Sequence, residues 1–216
     1  MTAAFADSPA TGGVRSLEVR WILPGQLESA VARWFGRFPA QTEYRQDSYL
    51  LLDPAVGRLS VKVRAGRALE VKVYRGSPGI MEVTGRAHGH IQSWQKWSFP
   101  RSFRRGSDDP AGWRPVGKTR RVARFCLADG RAVPAVPGPA GEPGCAAELT
   151  EIRMAGQAWW SLGFEATGPA GLLGSALRAT AALVFAHDMP GGTALATGHS
   201  KSYAEWLAAV ADAVHA

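Results

Sequence analysis

The stretch that most constrains the fold is Leu59 to Arg75, reading Leu-Ser-Val-Lys-Val-Arg, then Ala-Gly-Arg-Ala, then Leu-Glu-Val-Lys-Val-Tyr-Arg. Two alternating runs around a Gly-bearing turn are the pattern of a β-hairpin. Side chains on a strand alternate between faces, so Leu59, Val61 and Val63 take one side while Ser60, Lys62 and Arg64 take the other. Glu70, Lys72 and Tyr74 repeat the pattern on the return strand. One such hairpin is an ordinary half-solvated sheet. Several strands with one charged face make a surface that invites a polyanion.

The alternation recurs. Ser16 to Leu23 puts Leu17, Val19, Trp21 and Leu23 opposite Ser16, Glu18 and Arg20. Glu43 to Leu52 has strand character, and Lys118 to Phe125 places Lys118, Arg120 and Arg124 on one face. Ala146 to Arg153 and Trp159 to Ala166, joined by a turn at Ala155-Gly156-Gln157, form a second hairpin carrying Glu148 and Thr150, then Ser161, Gly163 and Glu165. Trp159 and Trp160 must point oppositely, which predicts one in a core and the other in a pocket or solvent. Ile80 to Pro100 reads as strand, with His88-Gly-His90 as polar surface, and Arg101 to Trp113 reads as a loop.

Helical spacing is confined to three places. Pro24 fits a first helical turn, and Leu27, Ala30, Val31, Trp34, Phe35 and Phe38 follow until Pro39. Gly171 to His187 is predicted to cover one end of the sheet. Ser202-x-x-Glu205 is a capping box opening a terminal helix with Tyr203, Trp206, Leu207, Val210 and Val214 as its apolar stripe. Residues 1 to 13 are expected to be a disordered leader before a single domain over 14 to 216, and the Pro- and Gly-rich residues 130 to 144 an exposed connector.

The 216 residues suffice for a sizeable core, and the formal net charge of +7 suggests an anionic partner. The basic residues sit singly within strands, which favours a formed pocket over a nucleic-acid-binding arm. Two cysteines, Cys126 and Cys145, show no CxxC spacing, so reduced thiols and a cytoplasmic location are expected. No signal peptide or membrane span is read. If the charged faces converge inside a closed antiparallel barrel, Arg20, Lys62, Arg64, Lys72, Lys118 and Arg120 line it with Glu18, Glu148 and Glu165. Burying these charges costs several kcal/mol each unless they are paired or hydrated.

The order of these pieces resembles the CYTH superfamily of triphosphate tunnel metalloenzymes, which includes inorganic and thiamine triphosphatases and class IV adenylate cyclases. The resemblance runs from about Ser16 to Leu207. The family opens on Glu-x-Glu-x-Lys, and this chain has Ser16-Leu-Glu18-Val-Arg20. Its basic strands match Lys62-x-Arg64, Lys72 and Lys118-Thr-Arg120, its acidic strands match Glu148-Leu-Thr-Glu151 and Gly163-Phe-Glu165, and Ser200-Lys-Ser-Tyr203 is similar to its ending. Ser16 and Gly163 stand where the family has glutamates that help bind metal.

The resemblance implies an α+β fold: a closed antiparallel β-barrel of about eight strands with flanking helices. It also implies Arg20, Lys62, Arg64, Lys72, Lys118, Arg120 and Lys201 as phosphate ligands, with Arg20 and Lys72 catalytic. Glu18, Glu148 and Glu165 would hold Mg2+ or Mn2+. The implied function is metal-dependent hydrolysis of an inorganic or organic triphosphate. The alternative is a non-catalytic polyphosphate- or nucleotide-binding module with a degenerate metal site.

Overall fold

The computed structural model describes residues 13–52, 58–83, 85–100, 112–135, 143–192 and 195–214. Apart from Gly13, the expected leader lies outside these residues, as do 101–111 of the expected loop. The strands are β1 (Val14–Pro24), β2 (Ala40–Leu50), β3 (Leu59–Arg64), β4 (Ala68–Val83), β5 (Ala87–Pro100), β6 (Trp113–Ala128), β7 (Arg131–Pro134), β8 (Gly144–Met154) and β9 (Gln157–Thr167). The helices are α1 (Ser29–Phe35), α2 (Ala170–Val184) and α3 (Tyr203–Val214). Pairing runs β2-β3-β4-β5-β1-β9-β8-β6 and closes through β2 and β6, with β7 added outside the ring on β6. Every strand pair is antiparallel.

Closure turns the alternation into an inside and an outside. Register partners share a face, and Glu43 with Arg120, Lys62 with Glu70, Glu18 with Glu165, and Glu148 with Gly163 are all partners. The charged residues therefore face inward. The opposite parity, including Val19, Trp21, Leu149, Leu162 and Phe164, faces outward into the main core. There Val31, Trp34 and Phe35 of α1 and Leu173, Leu177, Ala181 and Val184 of α2 cover it. A second apolar cluster, Ile22, Tyr49, Val116, Ile152 and Trp159 with Trp206 and Leu207 of α3, fills one end of the barrel from within.

Several expectations are corrected. Pro24 ends β1 rather than starting a helix, because the ladder to β9 continues to the Pro24–Trp159 pair and α1 begins only at Ser29. The expected strand over 80–100 is two strands: β4 runs on to Val83 past register shifts around Gly76 and Gly79, and the chain turns before Ala87. The expected connector contains β7, paired to the end of β6. Trp159 and Trp160 are both buried, since each side of the wall has its own core. The helix expected to cover an end of the sheet, α2, packs on the outer wall, and α3 takes the end.

Local chemistry explains the turns and caps. Ala65 and Gly66 both have positive φ, as do Ala155 and Gly156. That makes primed turns, whose twist matches the strands they join. At α3, the Ser202 N–H donates to Glu205 Oε2 at 2.6 Å and the Glu205 N–H returns to Ser202 Oγ at 3.2 Å, completing the expected capping box.

Candidate polyanion site

Inside the barrel the charges form three linked groups. In the first, Lys72 Nζ donates to Glu18 Oε1 at 2.6 Å and lies 3.6 Å from Glu165 Oε1, while the Ser16 hydroxyl also donates to Glu18 at 2.7 Å. Glu165 is held near a pKa of about 2, chiefly by Lys72 and against the effect of burial. Lys72 is pushed up: burial opposes its charge, but Glu165 and Glu18 outweigh it.

The second group is centred on Glu148. Arg20 Nη1 donates to Glu148 Oε1 at 3.1 Å and to the Ser161 hydroxyl at 3.2 Å, and Arg120 donates to Glu148 Oε2 and, at 2.6 Å, to Glu43. The Thr150 hydroxyl adds a bond to Glu148 at 2.8 Å. Although burial opposes it, this set holds the Glu148 carboxyl well below its usual range. Arg20 and Arg120 are raised in turn, Glu148 outweighing their burial.

In the third, Asp47 meets Lys62 and Arg45 at 3.3 Å and Lys118 at 3.6 Å, and Glu70 meets Lys62 at 3.2 Å and Arg64 at 2.8 Å. Lys118 Nζ donates to the Tyr49 hydroxyl at 2.6 Å and sits 3.5 Å from the Tyr203 ring centroid, a cation–π contact. Burial lowers Lys118 well below the usual ammonium range, with Lys62 repelling it and Asp47 opposing the shift.

A cavity reaches these groups. Glu18, Arg20, Tyr49, Ser60, Lys62, Glu70, Lys72, Gln92 and Trp94 line it, and Ser202, Tyr203 and Ala204 close it at the start of α3. Of the phosphate ligands expected from the sequence, Arg20, Lys62 and Lys72 border this cavity. Arg64, Lys118 and Arg120 stand on the same inner face, in the ion pairs around it. Lys201 stands apart: its backbone N–H donates to the Arg20 carbonyl at 3.0 Å, and its side chain does not line the cavity. Glu151 faces outward, pairing with Arg121 at 3.0 Å. Glu43, Arg45, Asp47 and Tyr49 were not expected at the site from the sequence, yet Glu43-x-Arg45-x-Asp47-x-Tyr49 carries the same alternation as the basic strands, and Tyr203 was read only as part of a helix stripe and of the chain's ending segment.

The carboxylates fit a metal poorly. Glu18 and Glu165 are cross-strand neighbours, but Lys72 pairs with one oxygen of each, and Glu148 is occupied by two guanidiniums. Among the described residues no group of three or more His, Cys, Asp or Glu is placed to hold a metal ion. An acidic side chain at position 163 would require the Arg20 guanidinium to move. A Cβ there would lie 2.9 Å from Arg20 Cζ, because the guanidinium is seated on the glycine.

The ion pairs predict an acid limit to stability. Burial would raise Asp47, but Lys62, Lys118 and Arg45 bring it to about 2 from an ordinary value of 3.8, and Glu165 reaches about 2 from 4.5. Folded-state values are depressed, so the stabilisation is present above the unfolded values and is lost as pH falls through the folded ones. Each group contributes on the order of 2 kcal/mol. Urea midpoints should be nearly level from pH 7 to 5 and fall steeply between pH 4.5 and 2. A midpoint as high at pH 2.5 as at pH 6 would contradict the pairing.

The fold and its interior define a closed antiparallel barrel with a charged lumen, the architecture that the family resemblance implies. Among solved structures the chain is similar to the RNA triphosphatase Pct1 of S. pombe, at 11% identity over 81% of this chain and 77% of that one, with a TM-score of 0.40. A conserved hypothetical protein from Pyrococcus furiosus matches at 11% identity, 87% and 98% coverage and a TM-score of 0.41. The Mimivirus capping enzyme triphosphatase matches at 10% identity, 82% and 92% coverage and a TM-score of 0.41. No family model matches the chain, and no curated protein does. Among the described residues no helix is long and apolar enough to cross a membrane.

Proposed function

We propose that this chain binds a triphosphate or polyphosphate group inside its barrel, as a single domain in the cytoplasm. The observation that carries this reading is the convergence of Arg20, Lys62 and Lys72 on one cavity, backed by Arg64, Lys118 and Arg120 on the same face. Among the described residues the lumen's cations, including Arg45 beside Asp47, outnumber Glu18, Glu43, Asp47, Glu70, Glu148 and Glu165. A multivalent anion can exchange with the internal carboxylates pair by pair, because phosphate oxygens accept the same charge-assisted bonds. Nucleic acid suits the lumen less well, since the charges are enclosed rather than spread on an open face.

A second reading, hydrolysis of the terminal phosphate, is favoured by Lys72 and Arg20 standing together at the cavity. Fixed cations aimed at a transferring phosphoryl group lower its barrier by stabilising developing charge. Mg2+ or Mn2+ would supply further charge neutralisation, but the donor set gives no place from which to derive its part.

Thermal unfolding tests the binding reading. At about a hundredfold excess over Kd, tripolyphosphate should stabilise by about 2.7 kcal/mol, a rise of roughly 5 to 10 °C for a domain of this size. Sodium chloride at equal ionic strength should give far less. Equal shifts from both would mean general screening, and the reading would fail. Phosphate release from tripolyphosphate, thiamine triphosphate and nucleotides, with magnesium, manganese or neither, then separates binder from hydrolase.

A further inference from the structure

We propose that the barrel holds its phosphate ligand without a divalent metal ion, with the Arg20 guanidinium as the fixed cation between ligand and Glu148. This rests on the binding reading above. Three features of the lumen support it. Arg20 is seated on Gly163, whose missing Cβ leaves the space that the guanidinium fills, at 2.9 Å from Cζ, 3.1 Å from Nη1 and 3.2 Å from Nη2. Its hydrogen bonds to Glu148 and Ser161 both use Nη1, and among the described residues Nε and Nη2 have no hydrogen-bond partner although Arg20 borders the cavity. A guanidinium anchored through one nitrogen presents its remaining donors as a planar fork, the geometry that grips phosphate.

The same exchange appears at the neighbouring carboxylates. Lys72 Nζ lies between Glu18 and Glu165, at 2.6 and 3.6 Å, so an ammonium bridges the only directly paired carboxylates among those expected to hold metal. Side-chain cations thus neutralise all three of these carboxylates, and two of those cations, Arg20 and Lys72, border the cavity. A glycine at 163 and an arginine at 20 work as a pair: a larger residue at 163 would drive the guanidinium off its seat. Ser161, buried beside it, fixes the plane of the fork.

The experiment is calorimetric titration of the full chain with tripolyphosphate, once in EDTA and once in millimolar magnesium. The affinity in EDTA should equal or exceed that in magnesium, because free magnesium competes for the ligand and brings no added site. Gly163→Ala should weaken binding in EDTA by about tenfold or more by displacing the fork, and Arg20→Lys by a similar factor. Circular dichroism would confirm that both variants stay folded. Should either unfold, the wild-type comparison still decides. Binding that disappears in EDTA, or tightens tenfold with magnesium, overturns metal-free binding while leaving the polyanion reading standing. No binding in either buffer overturns both.

Discussion

Replacing Glu148 with glutamine is expected to destabilise the barrel by about 3 to 5 kcal/mol, read as a lowered urea midpoint at pH 7. Glu148 is buried, and it is the common partner of Arg20 and Arg120. An amide keeps the shape and some hydrogen bonding but leaves two guanidiniums inside the wall with less compensating charge. Breaking one member of a buried network costs more than the network contributes as a whole, because the surviving charges cannot return to water. Glu43 retains its bond to Arg120, so the loss should fall mainly on Arg20. Tripolyphosphate should therefore raise the melting temperature of Glu148→Gln by more than it raises that of wild type, since the amide still seats the guanidinium and the phosphate charge replaces the carboxylate charge lost beside it. A loss below about 1 kcal/mol would show that the pairs are solvent-screened and structurally minor.

Trp206→Ala should cost a comparable amount, about 3 to 5 kcal/mol, and should also weaken polyphosphate binding. Trp206 plugs one end of the barrel, its ring 5.2 Å from that of Trp159 and 5.9 Å from that of Tyr203. Tyr203 in turn stacks on Tyr49 and lies against Lys118 and Arg20. Removing the indole takes away both packing and the support for an aromatic face that two lumen cations rest on. The stability term is read by denaturant unfolding and the binding term by titration with tripolyphosphate. Trp206→Phe, which keeps a ring in the plug, should recover most of both. If Trp206→Ala lost stability but bound as wild type does, the plug would be a packing element with no part in presenting the cations.

Much of the wall was legible in the chain because its code is local. Period-two alternation assigned Glu18 and Arg20, Lys62 and Arg64, Lys118 and Arg120, and Glu148 to shared strand faces, and the structure keeps each set together. The capping box at Ser202 and the turns at Gly66 and Gly156 depend on residues at most three apart, and they stand as read. The end of β1 did not read correctly, because whether Pro24 starts a helix or finishes a strand depends on Trp159 across the sheet. The two adjacent tryptophans failed for a similar reason: alternation says that they diverge, but only a wall with a core on each side buries both.

The chemistry of the lumen lay further from reach. Asp47 meets Lys118, and Glu43 reaches Arg120, only because β2 closes the ring against β6, while Lys62 comes to Asp47 from β3 on the other side of β2. Arg20 lies over Gly163 because the register of β1 on β9 makes them partners. By itself the sequence determined which residues share a face, since side-chain direction follows from the backbone of each strand alone. Which face became the inside, which carboxylate met which cation, and which helix closed the end were decided by tertiary structure, because these depend on hydrogen-bond register between segments far apart in the chain.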